Sequence, residues 1–149
     1  MQPMDIDAAT LATITARLGR EPRGLRAVAV RDAAGEPAVI RVASVVDGKP
    51  FPTLFWLIEP ALNLRIDRAE AGGLIAAFQA RVDAEPGLAE TMAADHRRHI
   101  ALRERYLAAG ERAQLEARGQ WAALAERGIG GIADFSRIRC LHTWYAAHL

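Results

Sequence analysis

Apolar residues at the start of the chain recur every three to five positions, Ile6, Leu11, Ile14 and Leu18. Asp5 or Asp7 is available as an N-cap and Gly19 as a stop. This spacing predicts a first helix over 5–18. From Leu25 the rhythm changes to short valine- and isoleucine-rich runs, cut by Ala34-Gly35 with Pro37 and by Asp47-Gly48. These turn signals predict three strands near 25–31, 38–46 and 53–58. Connections this short suit an antiparallel meander and exclude parallel crossovers. After Pro60 the helical period returns in Leu62, Ile66, Leu74, Ile75 and Phe78. Glycine and proline punctuation then divides the rest into helices near 61–71, 74–84, 88–108, 112–126 and 137–148. A sheet followed by helices, in one domain over 1–149, is an α+β arrangement.

On the helix at 88–108, Leu88, Met92, Ile100, Leu102, Tyr106 and Leu107 define an apolar arc at about 100 degrees per residue. His96, His99 and Arg103 fall inside it, while Arg97, Arg98, Glu104 and Arg105 point elsewhere. Either the histidines border the core and bond locally, or His96 belongs to a polar site beneath the helix; His99 is expected to be buried in both cases.

In the last helix, with Asp134 or Ser136 as its cap, Ile138, Leu141, His142, Tyr145 and Leu149 share a stripe. Residues two apart on a helix diverge by roughly 160 degrees. Cys140 and His142 can therefore share a metal only if the helix begins after Cys140. Cys140 is otherwise a buried, inert thiol, or a reactive one if it lies in the first helical turn near Arg137 and Arg139. The preceding loop, RGIGGIADFS, is either an anion cradle or a turn that lets two helices pack.

Composition narrows the function classes. The 149 residues carry 19 basic and 18 acidic groups, mixed along the chain, for a net charge of +1. That balance argues against a nucleic-acid role. No run approaches the ~20 apolar residues of a membrane span, and the N-terminus does not read as a signal peptide, so a cytoplasmic location is expected. The lone Cys140 cannot form an internal disulfide. Lys49 is the sole lysine. Ser-His-Asp order, HExxH, paired cysteines and nucleotide fingerprints are all missing.

The stretches LGREPRG at 18–24, GKPFPTLFWL at 48–57, and RCLH with a later AHL at the C-terminus are similar to the uncharacterised bacterial family called domain of unknown function 501. The resemblance implies that relatives carry a cysteine after the first strand, and a cysteine or histidine before the proline that ends the third. Those positions here are Asp32 and Glu59. It also implies that His96 matches a family histidine.

Two functional readings follow. One is a binding or regulatory protein engaging a protein or a small anion. The other is a metal- or thiol-dependent enzyme, or a degenerate descendant, with a polar site around Asp32, Glu59, Cys140 and His96, and His142 nearby. In a meander the first and third strands run the same way, which puts Asp32 and Glu59 on one edge, about 10 Å apart. Carboxylates in place of thiolates favour harder, more weakly held cations. No cofactor or metal is expected; a divalent metal, if bound, would lie on Asp32, Glu59, Cys140 and His96.

Overall fold

The computed structural model describes residues 6–149. Helix α1, Ala8–Leu18, starts where the Asp7 side chain accepts the Thr10 N–H at 2.7 Å, and stops where Gly19 turns left-handed. Asp5, the other cap suggested by the sequence, lies outside the described residues.

Strands β1 (Leu25–Arg31), β2 (Pro37–Val42) and β5 (Phe55–Leu57) form an antiparallel sheet in the order β1-β2-β5. The long second strand expected over 38–46 is broken. Its last part becomes β3, Val45–Val46, which pairs with β4, Lys49–Pro50, in a separate small hairpin. Asp47 and Gly48 both take positive φ there, at 53° and 72°, the requirement of a tight two-residue hairpin turn. Arg118 ties this hairpin to the helical half by donating to Gly48 O at 2.7 Å.

The sheet is covered on both faces, which explains the nearly continuous burial of β2. Ile40 and Val42 pack with Ile14 of α1 and with Ile58. Val39 and Leu57 pack on the other face against Ala146. Each fully buried aliphatic side chain of this kind contributes roughly 1.5–3 kcal/mol relative to exposure.

The helical half comprises α2 (Pro60–Ala71), α3 (Leu74–Ala84), α4 (Pro86–Arg105), α5 (Glu111–Ala117), α6 (Ala122–Ala125) and α7 (Leu141–His148), with a 3-10 turn at Ile129–Gly131. Prolines at the first helical position start α2 and α4. The single helix expected at 112–126 is split because Gly119 adopts φ 68°. Asp134 bonds Ser136 N–H and Oγ–H in a turn and caps no helix. Between that turn and α7 the chain is held by Gln79 of α3. Its Nε2 donates to Ser136 O and its Oε1 accepts the Ile138 N–H, both at 2.8 Å. Among the described residues, no helix is long and apolar enough to cross a membrane.

Candidate functional site

The last helix begins one residue after Cys140, which has extended backbone at φ −147°, ψ 121°. The thiol is therefore not on the opposite side of the helix from His142. Instead Cys140 Sγ lies 3.7 Å from His142 Nδ1.

Two acids one helical turn apart on α2 complete the group. Glu70 Oε1 accepts the Leu141 N–H at 2.8 Å, acting as the cap that α7 lacks locally, and lies 3.3 Å from His142 Nδ1. Asp67 Oδ1 meets His142 Nε2 at 2.8 Å. Positions i and i+3 of a helix lie on one face, which is why α2 can address both ring nitrogens. Ligand atoms of Glu70, Cys140 and His142 all fall within 4.8 Å of one another, and all three residues are partly buried. Cys140 and His142 of this group line a cleft of about 670 Å³ whose wall also includes Arg17, Asn63, Arg139 and Thr143.

The other expected site residues are engaged elsewhere. As strand direction requires, β1 and β5 end on one edge, but their following carboxylates turn back onto the main chain. Asp32 Oδ1 accepts the Ala34 and Glu36 N–H groups at 2.9 and 3.0 Å, and Oδ2 pairs with Arg17 at 3.2 Å. The Glu36 amide and the Arg17 guanidinium hold its carboxyl below the usual range. Glu59 caps α2, accepting from Ala61 N at 3.2 Å and Leu62 N at 2.7 Å.

His96 has no exposed surface. Its Nδ1 accepts the Ile129 N–H at 3.0 Å, and its ring stacks on Phe135 and meets Trp144 edge-on, with centroids 4.8 and 4.9 Å away. Burial lowers its pKa. Among the described residues, neither Asp32, Glu59 nor His96 belongs to the ligand cluster containing Cys140.

The histidines on α4 serve packing. His99 is buried against Phe55, and burial, with Arg103 close by, pushes its pKa down to about 4. Arg103 is also buried and donates to the carbonyls of Leu124, Arg127 and Gly128 at 2.8, 2.8 and 3.3 Å. Its burial lowers the guanidinium pKa to about 10, so it stays charged at neutral pH.

The glycine-rich loop is a packing device as well. Gly128 N–H donates to Ile132 O, Ile129 N–H to His96 and Gly131 N–H to Gly128 O, which commits most of a would-be anion cradle internally. A side chain at Gly128 would collide with the His96 ring.

Sequence reasoning identified Cys140 and His142 but missed Asp67 and Glu70. Their spacing on α2 was a visible signal of a shared acidic face, with nothing in it to say what that face meets.

The fold and cluster define an α+β protein with a mixed carboxylate, thiol and imidazole group open to a cleft. A family model described as protein of unknown function (DUF501) matches residues 28–149, and the chain belongs to that family. The match includes Asp67, Glu70, Cys140 and His142, whereas the LGREPRG stretch lies outside it. No curated protein and no solved structure matches the chain.

Proposed function

We propose that Glu70, Cys140 and His142 hold one divalent transition-metal ion, zinc foremost, with a fourth coordination position open to the cleft. The observation that carries this reading is the spacing of the ligand atoms. A tetrahedral zinc with bonds of about 2.3 Å to sulfur and 2.0–2.1 Å to nitrogen and oxygen needs S···N and N···O separations of about 3.5 and 3.3 Å. The corresponding separations here are 3.7 and 3.3 Å. His142 presents Nδ1 to the cluster and Nε2 to Asp67, the carboxylate–histidine relation that orients a metal-bound imidazole.

Three protein ligands with an open position is the pattern of a catalytic rather than a structural zinc site, and such a site activates bound water for hydrolysis. Arg139, exposed and without an acidic partner among the described residues, would favour an anionic substrate.

The same contacts support a second reading, in which Cys140 is a nucleophile, His142 its base and Asp67 the group that orients the base. The binding or regulatory role expected from the sequence draws nothing from this cluster.

Metal titration of chelator-treated protein separates the readings. The metal reading expects one zinc or cobalt per chain, a thiolate-to-cobalt absorption band lost in Cys140→Ala, and at least tenfold weaker binding in His142→Ala. Binding that is absent, or indifferent to Cys140→Ala, overturns it. Iodoacetamide labelling of Cys140 that slows in His142→Ala without any metal favours the thiol reading.

A further inference from the structure

We infer that the pocket on the α1 side of the sheet is a binding site for a planar aromatic anion. It contains none of the cluster's own residues and needs no metal, although Leu18, Phe51 and Trp56 also line the cleft beside Cys140.

The pocket exists because α1 is too short to cover the sheet face. The helix stops at Gly19, the chain crosses through Arg20 and Pro22, and the β3–β4 hairpin closes the far side. The space left is about 390 Å³, within the roughly 300–1,000 Å³ of small-molecule sites. Its floor is apolar, made by Leu18, Ile40 and Val42.

Phe51 and Trp56 lie nearly parallel, with planes 9° apart and centroids 6.2 Å apart. They offer a surface on which a flat ring can stack. The Arg20 guanidinium already lies 5.7 Å from the Trp56 ring centroid, placing positive charge beside that surface.

Charge around the mouth is unbalanced. Among the described residues, Asp47 is the one carboxylate lining the pocket, and it pairs with Arg23. Arg20 and Lys49 have no acidic partner among the described residues, so two exposed cations flank a pocket lined by the Phe51–Trp56 pair. Lys49 is also the sole lysine of the chain. An aryl ring on the floor would direct its carboxylate or phosphate toward these two groups. A neutral ring or a non-aromatic anion would satisfy only half of the site.

The test is calorimetric titration with 2-naphthoate in the presence of chelator, beside neutral 2-naphthol and the non-aromatic cyclohexanecarboxylate. We expect one 2-naphthoate per chain with a dissociation constant of about 0.1–1 mM, weakening with added salt. The two control compounds should bind at least about tenfold more weakly.

Arg20→Gln and Lys49→Gln change exposed side chains, leave the fold intact, and should each weaken 2-naphthoate several-fold. Acetylation of Lys49, read by mass spectrometry, should slow when the pocket is occupied. The inference is overturned if 2-naphthoate does not bind at millimolar concentration, if either control binds as well, or if the Gln variants bind it unchanged. Because chelator is present throughout, failure of the metal reading leaves each of these outcomes intact.

Discussion

Asp67 Oδ1 and His142 Nε2 lie 2.8 Å apart across the contact between α2 and α7. The pair fixes the imidazole so that its other nitrogen faces Cys140 and Glu70. Asp67→Asn keeps the size of the side chain but weakens this orientation. Zinc affinity is therefore expected to fall about 10- to 100-fold while the stoichiometry stays at one, the behaviour of an outer-shell partner. Competition against a chromophoric chelator measures it, and an unchanged affinity would remove Asp67 from the site.

Glu59 provides the contrast. Its carboxylate is spent on the first turn of α2, so Glu59→Ala should cost about 1 kcal/mol of stability in urea unfolding. Metal affinity should not change. A drop in affinity as large as that of Glu70→Ala would return Glu59 to the cluster.

Stability should fall on mild acidification because His99 is neutral in the folded protein. Its folded pKa of about 4 lies below the unfolded value of 6.5. The unfolded chain therefore takes up the proton first as pH drops below 6.5, and the loss continues until about pH 4. The limit is on the order of 3 kcal/mol, and the lowered pKa of His96 acts in the same direction. Urea midpoints at pH 7.5, 6 and 5 should decline, and His99→Phe should flatten the decline. An equally steep curve in that variant would assign the effect to other groups.

Arg103 fastens α4 to a carbonyl within α6 and to two that follow it. Arg103→Met would leave two buried acceptors and one part-buried acceptor short of a donor, a change expected to cost about 3 kcal/mol. Arg103→Lys should recover only part of it, because an ammonium cannot reproduce the fork of the guanidinium. Full recovery by lysine would show that charge alone matters.

Gly128→Ala places a methyl group against the His96 ring. It should cost at least about 2 kcal/mol, and pairing it with His96→Ala should be clearly less than additive. Additive costs would mean that the two residues do not share the space.

The period of the sequence made much of this architecture readable. The α4 arc correctly enclosed His96, His99 and Arg103, since burial on a long helix follows directly from angle. The antiparallel order followed from turns too short for anything else. The site was less legible for two reasons. Whether Cys140 and His142 could meet depended on a helix boundary, and a shift from residue 137 to 141 changes their relation from opposed to adjacent. Asp32 and Glu59 were placed on the correct edge, but the loops beside them consume carboxylate oxygens as caps, which strand direction cannot reveal. Glu70 reaches Leu141 across 71 positions, a distance that local pattern does not encode.

The Gln79 amide treats the 136–138 segment as a neighbouring strand would, giving one hydrogen and receiving another. Ile138 belongs to no helix or sheet, yet its amide hydrogen has a partner at 2.8 Å, within the length range of a ladder bond. Deuterium should enter it only when α3 itself lets go. The peptide that delivers Cys140 would then keep time with a helix more than fifty residues upstream, opening and closing with it as a single cooperative unit.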